Sequence, residues 1–287
     1  MQEISPDVHI ETGYDGVTLG AVSCPHGLVM IDAPFRAEDA RSWRAALLNL
    51  GGGVERLLIN LDAHLDRTLG ARAMDCTVVA SEVVAKVFHD RPMTFKAQPA
   101  ETGAAWEETN GLGSIRWSPP EITFTEKMAI HWDESPLLLE QHVGPSAGAT
   151  WVVLPVKKVV FVGDALTINE PPFLAAADIP AWLGGLQTLL SPAYQDYLIV
   201  AGRGGLAAVK DVHAQVQFLQ QVNGLLEGLA KRHAPVEEAE ALAPTLLKQF
   251  PGEAHAMLWQ QRLKYGLGQY YQRHHLNHEP AAGTAAG

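Results

Sequence analysis

The stretch that decides the fold of this chain is residues 59–70, which read INLDAHLDRTLG. The residues up to position 60 form a compact apolar run, so we predict a strand over residues 54–60. Asp62, His64 and Asp66 follow this strand directly. The loop at the carboxyl end of a strand is where sandwich and α/β folds usually collect reactive groups. We therefore expect a functional site on this loop.

Bulk composition limits the kinds of partner. The chain has 287 residues, of which 47% are hydrophobic, so it can bury a large core as one big domain or two small ones. A net charge of −11 without a Lys/Arg-rich run argues against nucleic acid, because such binders need a basic patch. We find no secretory signal and no apolar run long enough to span a bilayer, which predicts a cytoplasmic protein without membrane contact. Cys24 and Cys76 are too few for a disulfide framework.

Local patterns predict strands first and helices later. Apolar runs at 20–23 and 28–32 flank a Pro/Gly turn and predict a hairpin, and apolar spacing predicts a helix over 37–50. A strand at 77–81 should end in a serine that caps a helix through residue 88. Further strand-like runs lie at 122–124, 137–140, 150–154 and 159–162. Periodicity alone indicates one domain of α with β structure.

The pattern changes to helical from residue 206 onward. Apolar residues recur there at the helix period, and further helices are expected around 235–249 and 253–271. Residues 279–287 have nothing large to bury, so we predict a disordered tail. The predicted organisation is a sandwich over 1–205, with C-terminal helices over 206–278 packed on the same domain.

Residues 59–70 resemble the signature of the metallo-beta-lactamase superfamily, Thr-His-x-His-x-Asp-His-x-x-Gly. In that family three imidazoles and one carboxylate of this signature hold two zinc or iron ions. His64 and Asp66 stand at ligand positions of the signature. Asp62 replaces its first histidine and Arg67 its last. The segment thus keeps the frame of a two-metal hydrolase motif with half its ligands replaced.

Three further segments carry the resemblance in the right order. Residues 29–34 resemble the apolar run and Asp that precede the first metal loop. Residues 160–166 keep the Gly-Asp whose carboxylate, here Asp164, bridges both metals in the family. The loop at 198–204 resembles the one that supplies the last imidazole, and it carries Arg203 instead. The resemblance spans about residues 8–215 and implies an α+β fold, the αββα four-layer sandwich, with extra C-terminal helices.

The third imidazole of the family has no counterpart. The segment 141–155 resembles the stretch that carries it, but Ser146 and Ala147 occupy its place. His142 is the nearby imidazole that could substitute. Because side-chain direction alternates along a strand, the favoured interpretation of His142 is a hydrogen-bonded ring at a strand end.

When the family's metal ligands are mapped onto this sequence residue by residue, the resemblance implies a site in which two ligand positions hold arginine. A guanidinium has no lone pair to donate, so neither Arg67 nor Arg203 can be a metal ligand. Both can instead neutralise Asp66 and Asp164 through paired hydrogen bonds. The remaining candidate metal ligands are Asp62, His64 and Asp164.

Two functions stay open at this point. In the first, the two-metal centre has decayed, hydrolysis is absent or much reduced, and the old cleft binds a small anionic ligand, with no metal required. In the second, one divalent ion (zinc, iron or manganese) on the three candidate ligands activates water against an ester, lactone or thioester. Asp66 would then orient that water, and Arg67 or Arg203 would stabilise the oxyanion. The C-terminal helices could also form a homodimer face, and composition does not decide this.

Overall fold

A computed structural model of the protein describes residues 1–96, 101–109 and 112–276. The tail predicted at 279–287 lies outside these residues. Two large β-sheets organise the described part of the chain, and a short hairpin pairs β7 (Thr94–Lys96) with β8 (Ser114–Arg116).

The first sheet has the strand order β1-β2-β3-β4-β5-β6-β9. Its first four strands pair antiparallel, whereas β4, β5, β6 and β9 pair parallel. The strands are β1 (Gln2–Ser5), β2 (Val8–Glu11), β3 (Leu19–Ser23), β4 (Gly27–Ile31), β5 (Glu55–Ile59), β6 (Thr77–Ser81) and β9 (Ile122–Phe124). The predicted hairpin at 20–32 corresponds to β3 and β4.

The second sheet has the order β10-β11-β12-β13-β14-β15. Among its pairings in the described chain, only β13 with β14 is parallel. The strands are β10 (Lys127–Ile130), β11 (Leu137–Gln141), β12 (Thr150–Leu154), β13 (Val159–Phe161), β14 (Leu198–Val200) and β15 (Leu206–Ala207).

The two sheets pack face to face. Ile31 and Ile59 of the first sheet share one buried apolar cluster with Val152 and Phe161 of the second. Strands buried on both faces read as continuous apolar runs, as β4 and β12 do, because every one of their residues is buried.

Helices cover the outer face of each sheet. On the first sheet, Trp43 of α1 packs with Met30 and Leu58. On the second sheet, Trp151 and Val160 share a cluster with residues of α4, α5 and α8. The resulting layers are those of the predicted αββα sandwich. The helices are α1 (Ala37–Leu47), α2 (Leu65–Thr68), α3 (Glu82–Asp90), α4 (Ile179–Leu189), α5 (Val209–Lys231), α6 (Val236–Glu240), α7 (Ala243–Leu247) and α8 (Ala256–Tyr271).

The structure corrects two element predictions. Residues 206–207 form strand β15 before α5 begins, and the helix predicted over 235–249 is divided into α6 and α7. In the described part of the chain, no helix has the length and apolar character needed to cross a membrane. The domain boundary at 205/206 stays a prediction.

Candidate functional site

Strand ends bring the polar residues of the predicted site together. Asp32 follows β4, and the loop with Asp62 and His64 follows β5, so both lie at the carboxyl edge of the parallel part of the first sheet. Asp164 follows β13 and Arg203 follows β14, which are parallel neighbours in the second sheet. Parallel strands end at the same sheet edge, and this is where α/β folds hold their ligands.

A close backbone approach joins the last two of these loops. The N–H of Gly202 donates to the carbonyl of Gly163 at 2.8 Å. A Cβ atom at residue 202 would lie 2.4 Å from the carbonyl carbon of Gly163, which is closer than real contacts allow. Glycine at 202 therefore permits the approach that sets Asp164 beside Arg203.

Arg67 is fully buried and lies among three carboxylates. Its Nη1 donates to Oδ2 of Asp32 at 2.8 Å, and its Nε lies 3.1 Å from Oδ1 of Asp62. Its Nη2 donates to Oδ1 of Asp164. Each nitrogen of this guanidinium thus faces a different aspartate.

Arg203 is 1% exposed and binds the same site from the second sheet. Its Nη1 donates to Oδ2 of Asp66 at 3.0 Å. Its Nε and Nη2 face Oδ1 and Oδ2 of Asp164 at 3.2 and 3.3 Å, the side-by-side arrangement of a bidentate pair. We call the six side chains of these two arginines and four aspartates the buried ion cluster: Asp32, Asp62, Asp66, Asp164, Arg67 and Arg203.

His64 lies at the edge of this cluster and begins helix α2. Its Nδ1 accepts from the backbone N–H of Asp66 at 3.2 Å and faces Nη2 of Arg203 at 3.4 Å. Because Nδ1 faces two donors, the neutral ring carries its proton on Nε2. Burial lowers the pKa of His64, and the charge on Arg203 lowers it further, although Asp66 opposes the shift. The ring is therefore neutral at pH 7.

Phe173 forms the wall beside the cluster. Its ring lies 4.2 Å from the His64 ring, between centroids, and the guanidinium carbons of Arg203 and Arg262 lie 4.7 and 4.1 Å from its centroid. Arg262, on α8, has its own partner, since Nη1 donates to Glu170 at 2.7 Å. A cation over an aromatic face is attracted by the ring quadrupole.

Charge pairing sets the protonation of most of the cluster. Burial is the largest single effect on the pKa values of Asp66 and Asp164 and would raise both, but the lowering effects together outweigh it. The charge of Arg203 comes first among these, followed by Arg67 for Asp164, and the backbone N–H donors of Trp106 and Ala105 contribute for Asp66. Both carboxyl pKa values are lowered. Burial would likewise lower the pKa values of Arg67 and Arg203, yet their carboxylate partners raise both.

Asp32 is the exception within the cluster. Burial raises its pKa to about 7, although Arg67 opposes the shift. The negative charges of Asp62 and Asp164 add to the effect of burial, so Arg67 does not overcome it. Asp32 also adopts a left-handed backbone with φ of 58°, which aspartate tolerates better than most residues.

The raised pKa of Asp32 predicts a pH-dependent stability difference. An unfolded Asp has a pKa of about 3.9, whereas folded Asp32 titrates at about 7, so the folded state holds the extra proton between these values. Its contribution to the free energy of unfolding therefore falls as pH rises through this window and is level above it. In Asp32→Asn we expect the melting temperature, taken relative to the wild type, to rise over the same window.

Thermal unfolding from pH 4 to 8 measures this difference. Asp75→Asn is the matched control, because Asp75 also has a positive φ of 56° and an arginine partner, but its side chain is 84% exposed. Its melting temperature should follow that of the wild type. Parallel curves for Asp32→Asn and the wild type would show that Asp32 is ionised throughout.

The donor set does not fit the two-metal centre that the sequence resemblance implies. Both oxygens of Asp164, the expected bridge, face guanidinium nitrogens, and Nδ1 of His64 faces N–H donors. Arg67 and Arg203 have no lone pair for a metal. Among the residues that the structure describes, no three His, Cys, Asp or Glu side chains are grouped to hold a metal ion. Asp62, His64 and Asp164 stay a prediction as ligands of a single ion.

A cavity of about 410 Å³ opens over the cluster. Its floor includes Asp62, His64 and Asp164, and its walls come from α3, α8 and two loops at 145–148 and 173–176. Arg91, which follows α3, lines this cavity and donates through Nη2 to the carbonyl of Ala63 at 2.6 Å. The cavity therefore gives solvent access to the edge of the buried ion cluster.

The sequence predicted most of the cluster but not all of its surroundings. The structure brings together all six predicted site residues. His142 is placed elsewhere, because its ring stacks on Trp151 at 3.7 Å and faces Glu140 at 3.4 Å. Sequence reasoning missed the roles of Asp32, Arg91 and Phe173. The apolar run before Asp32 was the one available signal, since it resembles the family's segment.

Comparisons with known proteins agree with this geometry. The family model of the metallo-beta-lactamase superfamily matches residues 25–203. A metallo-beta-lactamase from Pontibacter korlensis is 20% identical with a TM-score of 0.58, over 76% of this chain and 97% of that one. A metallo-beta-lactamase from Hirschia baltica is 13% identical with a TM-score of 0.59, over 76% and 96%.

A larger solved protein is also similar. The stereoselective inverting sec-alkylsulfatase Pisa1 from Pseudomonas sp. is 16% identical with a TM-score of 0.68, over 95% of this chain and 49% of that one. This chain therefore spans about half of the sulfatase. At these identities the structural likeness shows the fold alone. No curated protein sequence matches the chain.

Proposed function

The chain belongs to the metallo-beta-lactamase superfamily, and on that premise we propose that the buried ion cluster replaces its two-metal centre. Metal-dependent hydrolysis is then absent or much reduced, and the cleft binds a small anionic ligand.

One observation carries this proposal. Asp164 accepts from Arg67 on one side and from Arg203 on the other, so two fixed positive charges lie against the carboxylate that bridges the metals in the family. Two buried cations beside the same carboxylates would repel a divalent ion strongly in this low-dielectric site. The guanidinium groups supply the neutralising charge that an ion supplies elsewhere in the family.

The cavity supports the ligand-binding part of the proposal. Its volume of about 410 Å³ lies within the range of about 300–1,000 Å³ that is usual for small-molecule sites. It opens directly over His64 and Asp62, so the ancestral cleft is retained as a space.

Metal content and hydrolysis together test the proposal. Protein purified without chelator should contain well under one equivalent of zinc, iron or manganese. Its rates on β-lactams, esters, lactones, thioesters and sec-alkyl sulfates should equal those of His64→Ala. The β-lactams and alkyl sulfates are included because the similar solved proteins are named for them.

The alternative function gives the opposite result. A hydrolase with one ion on Asp62, His64 and Asp164 would contain one equivalent of metal and lose turnover in His64→Ala. Two bound equivalents would contradict both functions as argued here.

A further inference from the structure

We infer that the ligand of this cleft is a monoanionic amphiphile, whose charged head lies at Arg91 and whose apolar part lies against Val83, Val87 and Phe173. The inference rests on the proposed function, since it needs a cleft whose floor holds no metal centre. It assigns the ligand's charge to an arginine outside the buried ion cluster.

The two arginines of the cluster are not available to a ligand. Arg67 is 0% exposed and Arg203 is 1% exposed. All the nitrogens of their guanidinium groups face Asp or His side chains. A ligand anion placed on either of them would have to displace a buried carboxylate, which is costly.

Arg91 differs from them in its partners. Its guanidinium carbon lies 4.9 Å from the Phe88 ring centroid and 4.7 Å from that of Trp117, so the two rings fix its position. Nη2 is held by the Ala63 carbonyl, but Nη1 is buried and has no hydrogen-bond partner in the described chain. No ion pair joins Arg91 to a carboxylate within the described ranges.

The state of Arg91 favours an anionic neighbour. Burial lowers its pKa to about 10, although Asp62 opposes the shift, so the group is still charged at pH 7. A buried charge without a counter-ion is unfavourable, and a planar fork suits a carboxylate or sulfate oxygen pair. A small rotation that exposes Nη1 to the cavity would let an anionic head complete its hydrogen bonds.

Ser146 supplies a second unsatisfied donor in the same cavity. Its Oγ is buried and has no hydrogen-bond partner in the part of the chain that the structure describes. It lies in the 145–148 loop, where the family carries its third imidazole. A hydroxyl group can rotate to donate to a ligand oxygen.

The rest of the cavity is largely apolar. Val87 lies four residues after Val83 and three after Val84 on α3, and these three side chains line one wall. Phe173 and Leu174 line another. The aspartates of the floor repel an anion, because Arg67 and Arg203 together offset only two of the four carboxylates in the buried ion cluster. Two other arginines line the cavity, but Arg262 is paired with Glu170 and Arg273 donates to the carbonyl of Ala177. An anionic head is therefore directed to Arg91, and an apolar chain fits the walls.

Isothermal titration calorimetry on the full chain tests this assignment with three probes. Decanoate has both features, 1-decanol lacks the charge, and acetate lacks the chain. We expect decanoate to bind below its micellar concentration, decanol to bind more weakly, and acetate not to bind. Decanoate affinity should fall as salt rises, because the head group interacts with a charge.

Two variants locate the head group. Arg91→Gln should weaken decanoate about tenfold or more, because it removes a charge-assisted hydrogen bond, while decanol affinity stays the same. Since Arg91 also packs on two rings, Val87→Glu is a second variant that keeps it. Val87 is 37% exposed and lines the cavity, so the Val87→Glu protein should still fold. The new carboxylate should weaken decanoate more than decanol, because both lose the apolar contact but only decanoate is repelled by the charge. Arg72→Gln, at an exposed arginine outside this cavity, is the control.

The outcomes separate this inference from the proposed function. Equal decanoate affinity in the wild type, Arg91→Gln and Val87→Glu would overturn the position of the head group. Failure of decanoate to bind metal-free wild type would overturn the ligand class and leave the metal-content result standing. Bound metal in the purified protein would instead overturn the proposed function.

Discussion

Replacing Arg67 with methionine is expected to lower the free energy of unfolding by about 3–5 kcal/mol or more, the cost of breaking a buried ion pair from one side. The loss is large because one substitution leaves three carboxylates without their shared cation. These are the side chains of Asp32, Asp62 and Asp164, all of which are buried. Methionine keeps most of the volume, so the loss reports charge rather than a cavity.

Urea denaturation of Arg67→Met and the wild type at pH 7.5 measures this effect. Arg44→Met is the control, because Arg44 also binds an aspartate at 3.1 Å, but the two side chains are 42% and 84% exposed. An exposed pair contributes only about 0–1 kcal/mol. A loss in Arg67→Met as small as that in Arg44→Met would contradict the role of Arg67 as the cluster's internal cation.

The pH dependence of the same variant adds a second check. Without Arg67, the pKa values of Asp32 and Asp164 should be higher, because Arg67 lowers both against the effect of burial, so the folded state takes up protons as pH falls. The stability lost in Arg67→Met should therefore be partly regained towards pH 5, since protonation removes the unpaired charges. A loss that is independent of pH would point to packing instead.

The fold could be predicted from the sequence because its signals are local. Each of the motifs directly follows an apolar strand, and strands such as β6 and β12 were predicted with the bounds observed. The helical region was predicted to begin at residue 206, whereas α5 begins at Val209. The short strand β15 was missed because it has only two residues and its apolar Leu206 also fits the helix period. The division between α6 and α7 was missed, since both halves keep helical spacing.

The sequence predicted those properties of the candidate site that depend on the chemistry of each residue type, but not those that depend on where the fold places a side chain. That Arg67 and Arg203 neutralise carboxylates follows from the chemistry of guanidinium, and the structure places them so. Which arginine faces the cavity does not follow from local sequence. Arg91 is 24 residues from Arg67 along the chain, and its position depends on how α3 packs on the first sheet. The register that turns His142 onto Trp151 is likewise a property of the sheet.

The positions of Arg67 and Arg203 also predict how the protein responds to a metal ion. If Arg67 and Arg203 take the place of a metal ion, a variant with imidazoles at both positions should again require a metal ion for stability. In the double variant Arg67→His/Arg203→His, Asp66 and Asp164 lose their cations and gain two neutral nitrogen ligands. We expect this variant to be strongly destabilised without metal and to be stabilised by zinc, whereas the wild type shows no response.

Thermal unfolding with and without zinc measures this response. At free zinc about 100-fold above the dissociation constant, binding to the folded state alone adds about 2.7 kcal/mol of stability. The matched control is Arg67→Gln/Arg203→Gln, which removes the same two charges but supplies no imidazole, so zinc should leave it unchanged. If the variant is unfolded without metal, its recovery from urea in the presence and absence of zinc gives the same comparison.

An equal zinc response in the wild type would mean that the guanidinium groups do not exclude an ion from the cleft. An equal response in the glutamine pair would mean that the carboxylates alone attract zinc. Either result would contradict the proposal that Arg67 and Arg203 take the place of a metal ion, although the two side chains would still lie where the structure has them. A response confined to Arg67→His/Arg203→His would mean that either guanidinium groups or a metal ion can neutralise the same buried negative charge. Only that variant both removes the guanidinium groups and supplies imidazoles that can bind a metal ion.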